Sequence, residues 1–360
     1  MSHLSKFQDC LQQKGFGAAI VSDKLNQRYL SGFDFDDGLV LVTPKSAYLL
    51  TDFRYVEAAR AQVTKEMTVL TPEGGHLLCI GGLLADHGVT GPVATEDASL
   101  SCALFKRYCE ILSDYTLVGG ASEILTALRL CKDEEELCAI ERAQAVTDAA
   151  FAHILNWIKP DMTEIEVALE IEFFMRKNGA EGLAFDTIAV SGTNSARPHG
   201  VPRREKLEKG FLTMDFGARV DGYCSDMTRT VVIGRADDEI KRLYNTVLAA
   251  QNAALGAAAQ GVSCRELDRI ARDLIDGAGY KGCFGHSLGH GVGMLVHEEP
   301  RLSQKTKPDV LLQKGHVVTF EPGIYIEGKY GCRIEDMACI RPDGSFYNFA
   351  KSSKELIELF

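Results

Sequence analysis

Short apolar runs alternate with helix-like segments over the first third of the chain. The pattern predicts four strands, at residues 18–22, 38–43, 46–52 and 67–71. Pro44-Lys45, between the second and third runs, is a turn signal, so these two runs are expected to form a hairpin. Strands and helices in alternation favour a small α/β domain.

A Gly-Gly pair within residues 113–124 precedes a long, charged helical run at 132–158, and Pro160 ends that run. We therefore expect two domains, 1–120 and 121–360. Thr163 and Glu166 have the spacing of a helix-capping box, though only a weak one is expected. After residue 185 the pattern changes to strands and turns with helical stretches near 237–260 and 264–278, which predicts an α+β second domain.

Composition narrows the class of protein. The 360 residues are enough for two domains, and the net charge of −11 argues against a nucleic-acid partner, which needs a basic surface. No signal peptide and no membrane-spanning apolar run is recognised, so a cytoplasmic protein without a membrane partner is expected. The eleven cysteines are expected to be reduced. The pairs Cys102/Cys109 and Cys131/Cys138, each seven residues apart, are expected on buried helix faces.

Two acidic residues in the segment 211–234 are placed to meet across a hairpin. A turn at residues 219–222 would bring Asp215 and Asp226 nearly opposite each other on one face of an antiparallel pair. Two buried aspartates in that arrangement repel each other unless a cation or a proton lies between them. The alternative is that both are ordinary charges beside a turn.

A second segment, 317–340, repeats this arrangement with glutamates. Gly328 lies midway between Glu321 and Glu335, so a turn at residues 327–329 would place the two opposite each other. The alternative is a pair of solvent-facing strand residues, but the apolar neighbours of all four acids weaken it. Four carboxylates and one imidazole are a suitable ligand set for two divalent cations, whose charge they would balance.

Three histidines separated by glycines lie in GHSLGHGVGMLVHEEP, residues 285–300. The segment lacks the HExxH pattern of a zinc helix, and its glycines lack the βαβ context of a dinucleotide loop. Asp215-Phe-Gly matches a kinase signature only in isolation. A flexible loop with three independent imidazoles remains an alternative. His199, in SGTNSARPHGVP, adds another loop histidine.

The segments NSARPHG, MDFGA, CSDMTRT, GHSLGHGVGMLVHE, FEPGIY and RIED occur in the order and spacing of the pita-bread metallopeptidases. The chain from about residue 125 to its end resembles this family, which includes aminopeptidase P, prolidase, methionine aminopeptidase and the metal-free creatinases. NQRYLSGF and YLLTDFRY resemble the N-terminal domain of the aminopeptidase P and prolidase branch. The resemblance implies a creatinase-like α/β N-terminal domain followed by an α+β pita-bread catalytic domain.

The resemblance also implies roles for individual residues. Asp215 would bind one metal ion, Asp226 and Glu335 would bridge two, and His290 and Glu321 would complete the second site. His199, His286 and His297 would bind the substrate and stabilise the tetrahedral intermediate, and Glu321 would also move the proton. Arg333 would hold the acids in place. All five ligand positions are intact, which separates the chain from creatinases and from binding scaffolds on the same fold.

The activity implied is release of the N-terminal residue from peptides with proline second, by a hydroxide that bridges two Mn²⁺ ions, with Co²⁺ or Zn²⁺ as alternatives. The alternative activity is that of a prolidase, which cleaves Xaa-Pro dipeptides. A homodimer is expected from the family alone. In such dimers the region of Asp34, Asp36 and Asp37 can approach the neighbouring site, which makes Asp36 or Asp37 a candidate for contact with the substrate's α-ammonium group. The alternative is surface charge at a loop tip.

Overall fold

Residues Met1–Phe360 are all described by the computed structural model of the protein. Internal contacts divide the chain into two compact units, Met1–Arg129 and Leu130–Phe360. Every residue implicated in chemistry by its sequence motif lies in the second unit. None of the helices combines the length and the apolar character needed to cross a membrane.

The first unit contains a six-stranded mixed sheet in the order β4-β3-β2-β1-β5-β6. Its strands are β1 Ala18–Val21, β2 Gly38–Val42, β3 Ala47–Thr51, β4 Thr68–Leu70, β5 Val93–Thr95 and β6 Leu117–Val118. Its helices are α1 His3–Gln13, α2 Lys24–Ser31, α3 Val56–Gln62, α4 His76–Asp86, α5 Cys102–Ile111 and α6 Ala121–Leu130. The predicted hairpin is confirmed, because β2 and β3 pair antiparallel with Val42 opposite Ala47.

Two helix pairs form the helical part of the second unit. They are α7 Glu134–Trp157 with α8 Glu164–Lys177, and α9 Asp238–Ala257 with α10 Cys264–Ile275. The capping box at the start of α8 is complete, since Thr163 N–H donates to the Glu166 carboxylate at 2.8 Å and Thr163 Oγ1 accepts from Glu166 N–H at 3.3 Å. The weak box expected there is therefore a full one.

The strands of the second unit form two main sheets and two smaller ones. They are β7 Gly182–Leu183, β8 Ile188–Ser191, β9 Gly210–Phe216, β10 Ala218–Val220, β11 Tyr223–Cys224, β12 Met227–Ile233, β13 Gly289–Gly291, β14 Glu298–Leu302, β15 Val317–Phe320, β16 Gly323–Ile326, β17 Tyr330–Arg333, β18 Asp336–Ile340, β19 Phe346–Asn348 and β20 Glu358–Leu359. The main sheets run β20-β12-β9-β8 and β14-β13-β15-β18-β19. One apolar core lies between the first sheet and α7 and α8, and a second packs around α9 and α10.

All eleven cysteines are free thiols, but the expectation that four of them lie on buried helix faces is wrong. Cys102, Cys131 and Cys138 are exposed and Cys109 is only partly buried. A seven-residue spacing places two residues on the same side of a helix, and it does not determine whether that side faces the core.

Arg229 is buried in the core of the second unit. Its side chain links the two main sheets to the C-terminal segment by hydrogen bonds. The side chain is 1% exposed and donates to the carbonyl oxygens of Glu335, Ser352 and Ser353 and to the Asp336 carboxylate, at 2.5 to 3.1 Å. Burial alone would raise the pKa of Asp336, but the charges of Arg229 and Lys354 outweigh it and lower that pKa. Asp336 therefore stays ionised and paired.

Replacing Arg229 by methionine is expected to lower the free energy of unfolding by about 3–5 kcal/mol, because it leaves the Asp336 carboxylate with less compensation in the core. Urea denaturation measures the change. Arg235→Met is the matched control, since Arg235 pairs with Glu358 from a side chain that is 85% exposed, and its urea midpoint should hardly move. Equal effects of the two substitutions would contradict this account of Arg229.

Candidate active site

The first acidic hairpin is formed by β9 and β12 and closes through β10 and β11. Asp221 and Gly222 both have positive φ, at 52° and 86°, and form the two-residue turn between Val220 and Tyr223. Asp215 consequently faces Thr228, and Asp226 is offset by two residues from the directly opposite position, which agrees with the expectation that the two aspartates lie nearly opposite each other. Asp226 occupies the diagonal position on the same face, because side chains two apart in a strand point the same way. The turn is centred one residue later than the sequence indicated.

The second acidic hairpin has the predicted register. Phe320 pairs with Asp336 and Gly323 pairs with Arg333, so Glu321 and Glu335 face each other in the short gap between these two ladders. Residues 327–329 form the connecting loop, with Gly328 in a left-handed conformation at φ 72°. The gap frees both glutamates from regular strand pairing while the flanking pairs fix their positions.

His290 lies on β13, which is the strand between β14 and β15 in its sheet. A Cβ atom at Gly289 would lie 2.0 Å from the Thr319 carbonyl oxygen, and one at Gly291 would lie 2.0 Å from that of Glu299. Only glycine permits strands to approach so closely on both sides of the histidine. His290 Nδ1 contacts the Gly291 carbonyl oxygen at 3.1 Å, which leaves Nε2 to face the acids.

A single cavity of about 390 Å³ brings the candidate residues together. All nine predicted from the sequence line it: His199, Asp215, Asp226, His286, His290, His297, Glu321, Arg333 and Glu335. His290 Nε2 lies 3.3 Å from Glu321 and 3.6 Å from Asp226. Ligand atoms of Asp226, His290 and Glu335 all lie within 4.8 Å of one another, so these three residues could hold one ion.

The carboxylates are held from outside and keep oxygen atoms free. Arg333 donates to Asp215 Oδ2 at 2.6 Å, while Asp215 Oδ1 is buried without any hydrogen-bond partner. Thr228 Oγ1 donates to Glu335 Oε2 at 2.6 Å. A buried acceptor without a partner is costly unless something else binds it. The donor set of four carboxylates and one imidazole therefore fits divalent cations.

Burial and mutual repulsion dominate the electrostatics of the cluster. Burial, followed by the neighbouring carboxylates, raises the pKa of Asp226 and of Glu335 well above the usual range. Burial also raises the pKa of Asp215, although Arg333 opposes the shift. At Glu321 burial acts in the same direction, but His290, His286 and Arg333 outweigh it and lower the pKa to about 2.

The remaining histidines occupy the edge of the acidic cluster. His286 Nε2 contacts the Tyr325 hydroxyl at 3.1 Å, and its Nδ1 lies 3.9 Å from Glu321. The ring of His297 packs edge-on against that of His290 at 4.4 Å between centroids. Burial lowers the pKa of both His286 and His297, so both are neutral at pH 7 and each carries one N–H. The N–H of His286 is on Nδ1 and donates to the Ser287 carbonyl oxygen at 2.9 Å, so its Nε2 accepts from the Tyr325 hydroxyl.

Two hydroxyl residues of the site were missed by the sequence analysis. Tyr325 accepts from Arg333 at 2.7 Å, and burial raises its pKa to about 12. Thr228 accepts from Arg333 Nε at 3.0 Å while it donates to Glu335. The sequence offered one signal for them, because side chains an even number of residues apart in a strand point to the same face. Thr228 lies two residues after Asp226, and Tyr325 lies four residues after Glu321.

Buried ion pairs anchor the loops that carry the histidines, and the sequence analysis missed these as well. Asp268 on α10 pairs with Arg272, which donates to the carbonyl oxygens of Phe284 and His286 at 2.7 and 2.8 Å. Lys132 and Glu298, both buried, pair at 2.9 Å beside His297. Each pair fixes a loop on one side of the cavity without entering it.

Glu164, at the start of α8, anchors the loop of His199. Its fully buried carboxylate accepts from the backbone N–H groups of Ser191 and Arg203, from the Asn194 amide and from the Arg203 guanidinium, all at 2.7 to 3.0 Å. Burial raises the pKa of Glu164, but these hydrogen bonds outweigh burial and lower it overall. Loop residues 191–203 are thus ordered around one charge.

The acidic residues near the N-terminus form exposed ion pairs within the first unit. Asp34 pairs with Arg28 at 3.3 Å, Asp36 with Lys24 and Asp37 with Arg54. Exposed pairs of this kind contribute little to stability. The contact between Asp36 or Asp37 and a substrate ammonium group stays a prediction.

A cavity lined by clustered carboxylates and histidines has the composition of a divalent-metal site. Family models agree: one for metallopeptidase family M24 matches residues 138–342, and one for the creatinase/prolidase N-terminal domain matches residues 3–131. The chain belongs to metallopeptidase family M24, whose members use divalent metal ions, and it is a hydrolytic metallopeptidase. All nine cavity residues lie within the M24 match.

Known proteins similar over the full length support this assignment. The Xaa-Pro dipeptidase from Bacillus anthracis superimposes with a TM-score of 0.92 at 38% identity, with 99% of each chain covered. The X-Pro aminopeptidase from Thermotoga maritima gives a TM-score of 0.89 at 35% identity, with 95% of this chain and 97% of that chain covered. The peptidase YqhT of Bacillus subtilis is 40% identical over 99% of both sequences. The expected α/β domain followed by a pita-bread domain is confirmed.

Glu164→Gln is expected to destabilise the protein by about 2–4 kcal/mol at pH 7, because it removes a buried charge that accepts several hydrogen bonds. The folded-state pKa of Glu164 is lowered from its usual 4.5, so this stabilisation is complete above that pH and is lost as the pH falls below it. Urea denaturation between pH 7 and pH 3.5 should show the two proteins converging in acid.

Glu205→Gln is the control for this measurement. Glu205 is exposed in the same region of the chain, and its substitution should leave the stability at pH 7 and the pH profile unchanged. A difference between wild type and Glu164→Gln that stays constant across the pH range would contradict the assignment.

Proposed function

We propose that the protein is an Xaa-Pro aminopeptidase, which releases the first residue of peptides that have proline second. The observation that carries the proposal is the convergence of four carboxylates, His290 and three further histidines on one cavity. Xaa-Pro dipeptidase activity is the second candidate, favoured by the similarity to the Bacillus anthracis enzyme of that name. The two activities differ only in whether the substrate continues beyond proline.

We further propose Asp215, Asp226, His290, Glu321 and Glu335 as the ligands of two divalent ions. Mn²⁺ is the expected metal because oxygen donors outnumber nitrogen in this set, with Co²⁺ and Zn²⁺ as alternatives. When bound, such ions supply Lewis acidity and make a water nucleophile available near neutral pH. The homodimer and the cytoplasmic location expected from the sequence stay predictions.

The side chains around the ligands suit a tertiary amide. An Xaa-Pro bond has no N–H and a fixed φ, so its recognition depends on donors to the carbonyl oxygen and on the shape of the site. His297, neutral at pH 7, serves as a donor to the substrate carbonyl and to the oxyanion that develops from it. His286 donates its one N–H to the Ser287 carbonyl oxygen, at 2.9 Å from Nδ1, and we propose that it binds the peptide through its ring in the cavity wall. His199 borders the same cavity and contributes to binding the peptide.

Glu321 is the proposed proton carrier. Its carboxylate lies between His290 at 3.3 Å and His286 at 3.9 Å and is held ionised, so it is ready to accept a proton from the attacking water. The same group then delivers the proton to the proline nitrogen as the bond breaks. Arg333, with Tyr325 and Asp215, keeps the cluster rigid during this transfer.

A matched assay with added Mn²⁺ distinguishes the two activities. Hydrolysis of both Ala-Pro and Ala-Pro-Ala is expected, with release of alanine in each case measured by amino-acid analysis. Hydrolysis of Ala-Pro alone would establish the dipeptidase and reject the aminopeptidase. Ala-Ala-Ala should be cleaved poorly, and efficient cleavage of it would reject proline specificity.

Asp226→Asn is expected to lower activity more than about a hundredfold and to reduce the bound metal measured by atomic absorption. The folded-state pKa of Asp226 is raised, so its ionised form costs stability at pH 7, and neutral asparagine removes that cost. The metal-free variant should therefore melt at the same temperature as metal-free wild type or higher.

Asp221→Asn makes the same substitution in the turn of the same hairpin, where the aspartate is exposed and pairs with Arg142. This control should keep wild-type activity and metal content. Normal metal content in Asp226→Asn would show that the proposed ligand set is incorrect.

A further inference from the structure

A second cavity, of about 860 Å³, adjoins the active-site cavity. His286, Ser287 and Arg301 line both, so the two spaces meet along a shared wall. The second cavity continues along the loop after β14, with Lys305, Thr306 and Lys307 on its border. A peptide with its scissile bond beside His286 therefore has room to extend into this space.

The charged residues that line the second cavity are mostly cationic. Arg272, Arg301, Lys305 and Lys307 face Glu299 as the one carboxylate in the lining. Arg272 is neutralised by Asp268, whereas the side chains of Arg301, Lys305 and Lys307 form no ion pair or hydrogen bond in the structure. Three unpaired cations around one cavity contrast with a chain whose net charge is −11.

From these observations we infer that the second cavity receives the substrate residues that follow proline and selects for negative charge at the third residue. The inference rests on the proposed aminopeptidase function, and it adds a specificity for the downstream part of the peptide. Arg301 lies where the two cavities meet, and Lys305 and Lys307 lie on the lining of the second alone. Lys305 and Lys307 are exposed, so they attract an acidic group without a large cost of desolvation.

The selection for negative charge at the third residue does not involve the atoms of the scissile bond. Charge pairing at the third residue is equally strong before and during the reaction, so it lowers KM more than it raises kcat. Each exposed ion pair changes an equilibrium by a factor of roughly 1.5 to 5, so two lysines together give a factor of roughly 2 to 25, and we expect a value in the middle of that range, about three- to tenfold. The preference should weaken as salt rises, because exposed charges are screened.

The experiment compares three peptide amides, Ala-Pro-Glu-NH2, Ala-Pro-Gln-NH2 and Ala-Pro-Lys-NH2, with the Mn²⁺-loaded full-length enzyme. The C-terminal amide removes the terminal carboxylate, so only the third side chain differs in charge. We expect kcat/KM for the glutamate peptide to exceed that for the glutamine peptide about three- to tenfold, with the lysine peptide lowest. Most of the difference should be in KM.

The double substitution Lys305→Glu and Lys307→Glu should reverse this order and change the hydrolysis of the dipeptide Ala-Pro less than twofold. Lys159→Glu is the matched control, because Lys159 is exposed and lines neither cavity, and it should leave the order as in wild type. Unchanged melting temperatures confirm that the variants are folded.

Equal kcat/KM for the three amides, or a preference that survives the double substitution, would overturn the charge selection while the aminopeptidase stands. Failure to cleave any of the amides, with Ala-Pro still hydrolysed, would overturn the aminopeptidase and this inference together. The two failures are thus separated by whether a tripeptide is cleaved at all.

Discussion

The structure of the second unit depends on holding four carboxylates together in one buried cavity. Burial removes each from water, and their charges repel, so the cluster costs free energy on its own. One guanidinium, that of Arg333, faces them from the protein side. Burial first, and then the neighbouring carboxylates, raise the pKa of Asp226 and of Glu335, and divalent cations at the cluster would offset both effects. The cluster therefore has the composition of a divalent-metal site, in a family whose members use divalent metal ions.

The hairpins tolerate this repulsion because their strand pairing is continuous on both sides of the acids. In the first hairpin, β9 and β12 pair along seven residues. In the second hairpin, β15 pairs with β18 and β16 pairs with β17. The register is the same on both sides of the gap at Glu321 and Glu335. Outside the cavity, buried charges that are fully paired fix the histidine loops, with Glu164 the most heavily bonded. The buried carboxylates that repel one another thus lie in the active-site cavity, and the buried charges that hold the histidine loops lie outside it and are paired.

The sequence predicted the parts of this arrangement that follow from local rules. Turn glycines and strand alternation gave the second hairpin its correct register. The roles of the nine predicted residues came from the resemblance to the pita-bread family, and all nine are among the residues that line the cavity. The first hairpin differs by two residues from an exact pairing of Asp215 with Asp226, because its turn is Asp221-Gly222, one residue later than the centre of the predicted turn at residues 219–222. Both turn residues have positive φ, which Asp-Gly suits. Thr228 and Glu164 were missed because their hydrogen-bond partners lie at least 27 residues away in the sequence. Tyr325 was missed because its contact with His286 forms only in the folded cavity.

The three histidines of residues 285–300 illustrate why spacing alone could not assign a metal site. His290 directs Nε2 at Glu321 and Asp226 because its other nitrogen contacts its own strand, whereas His286 directs Nε2 at Tyr325. Glu321 lies between these two rings and is in reach of both. The carboxylate proposed to carry the proton is therefore also the point where the ligand side and the substrate side of the cavity meet. A change at either histidine alters the electrostatic field at Glu321, so the proposed metal binding and the proposed proton transfer would be coupled through this one side chain.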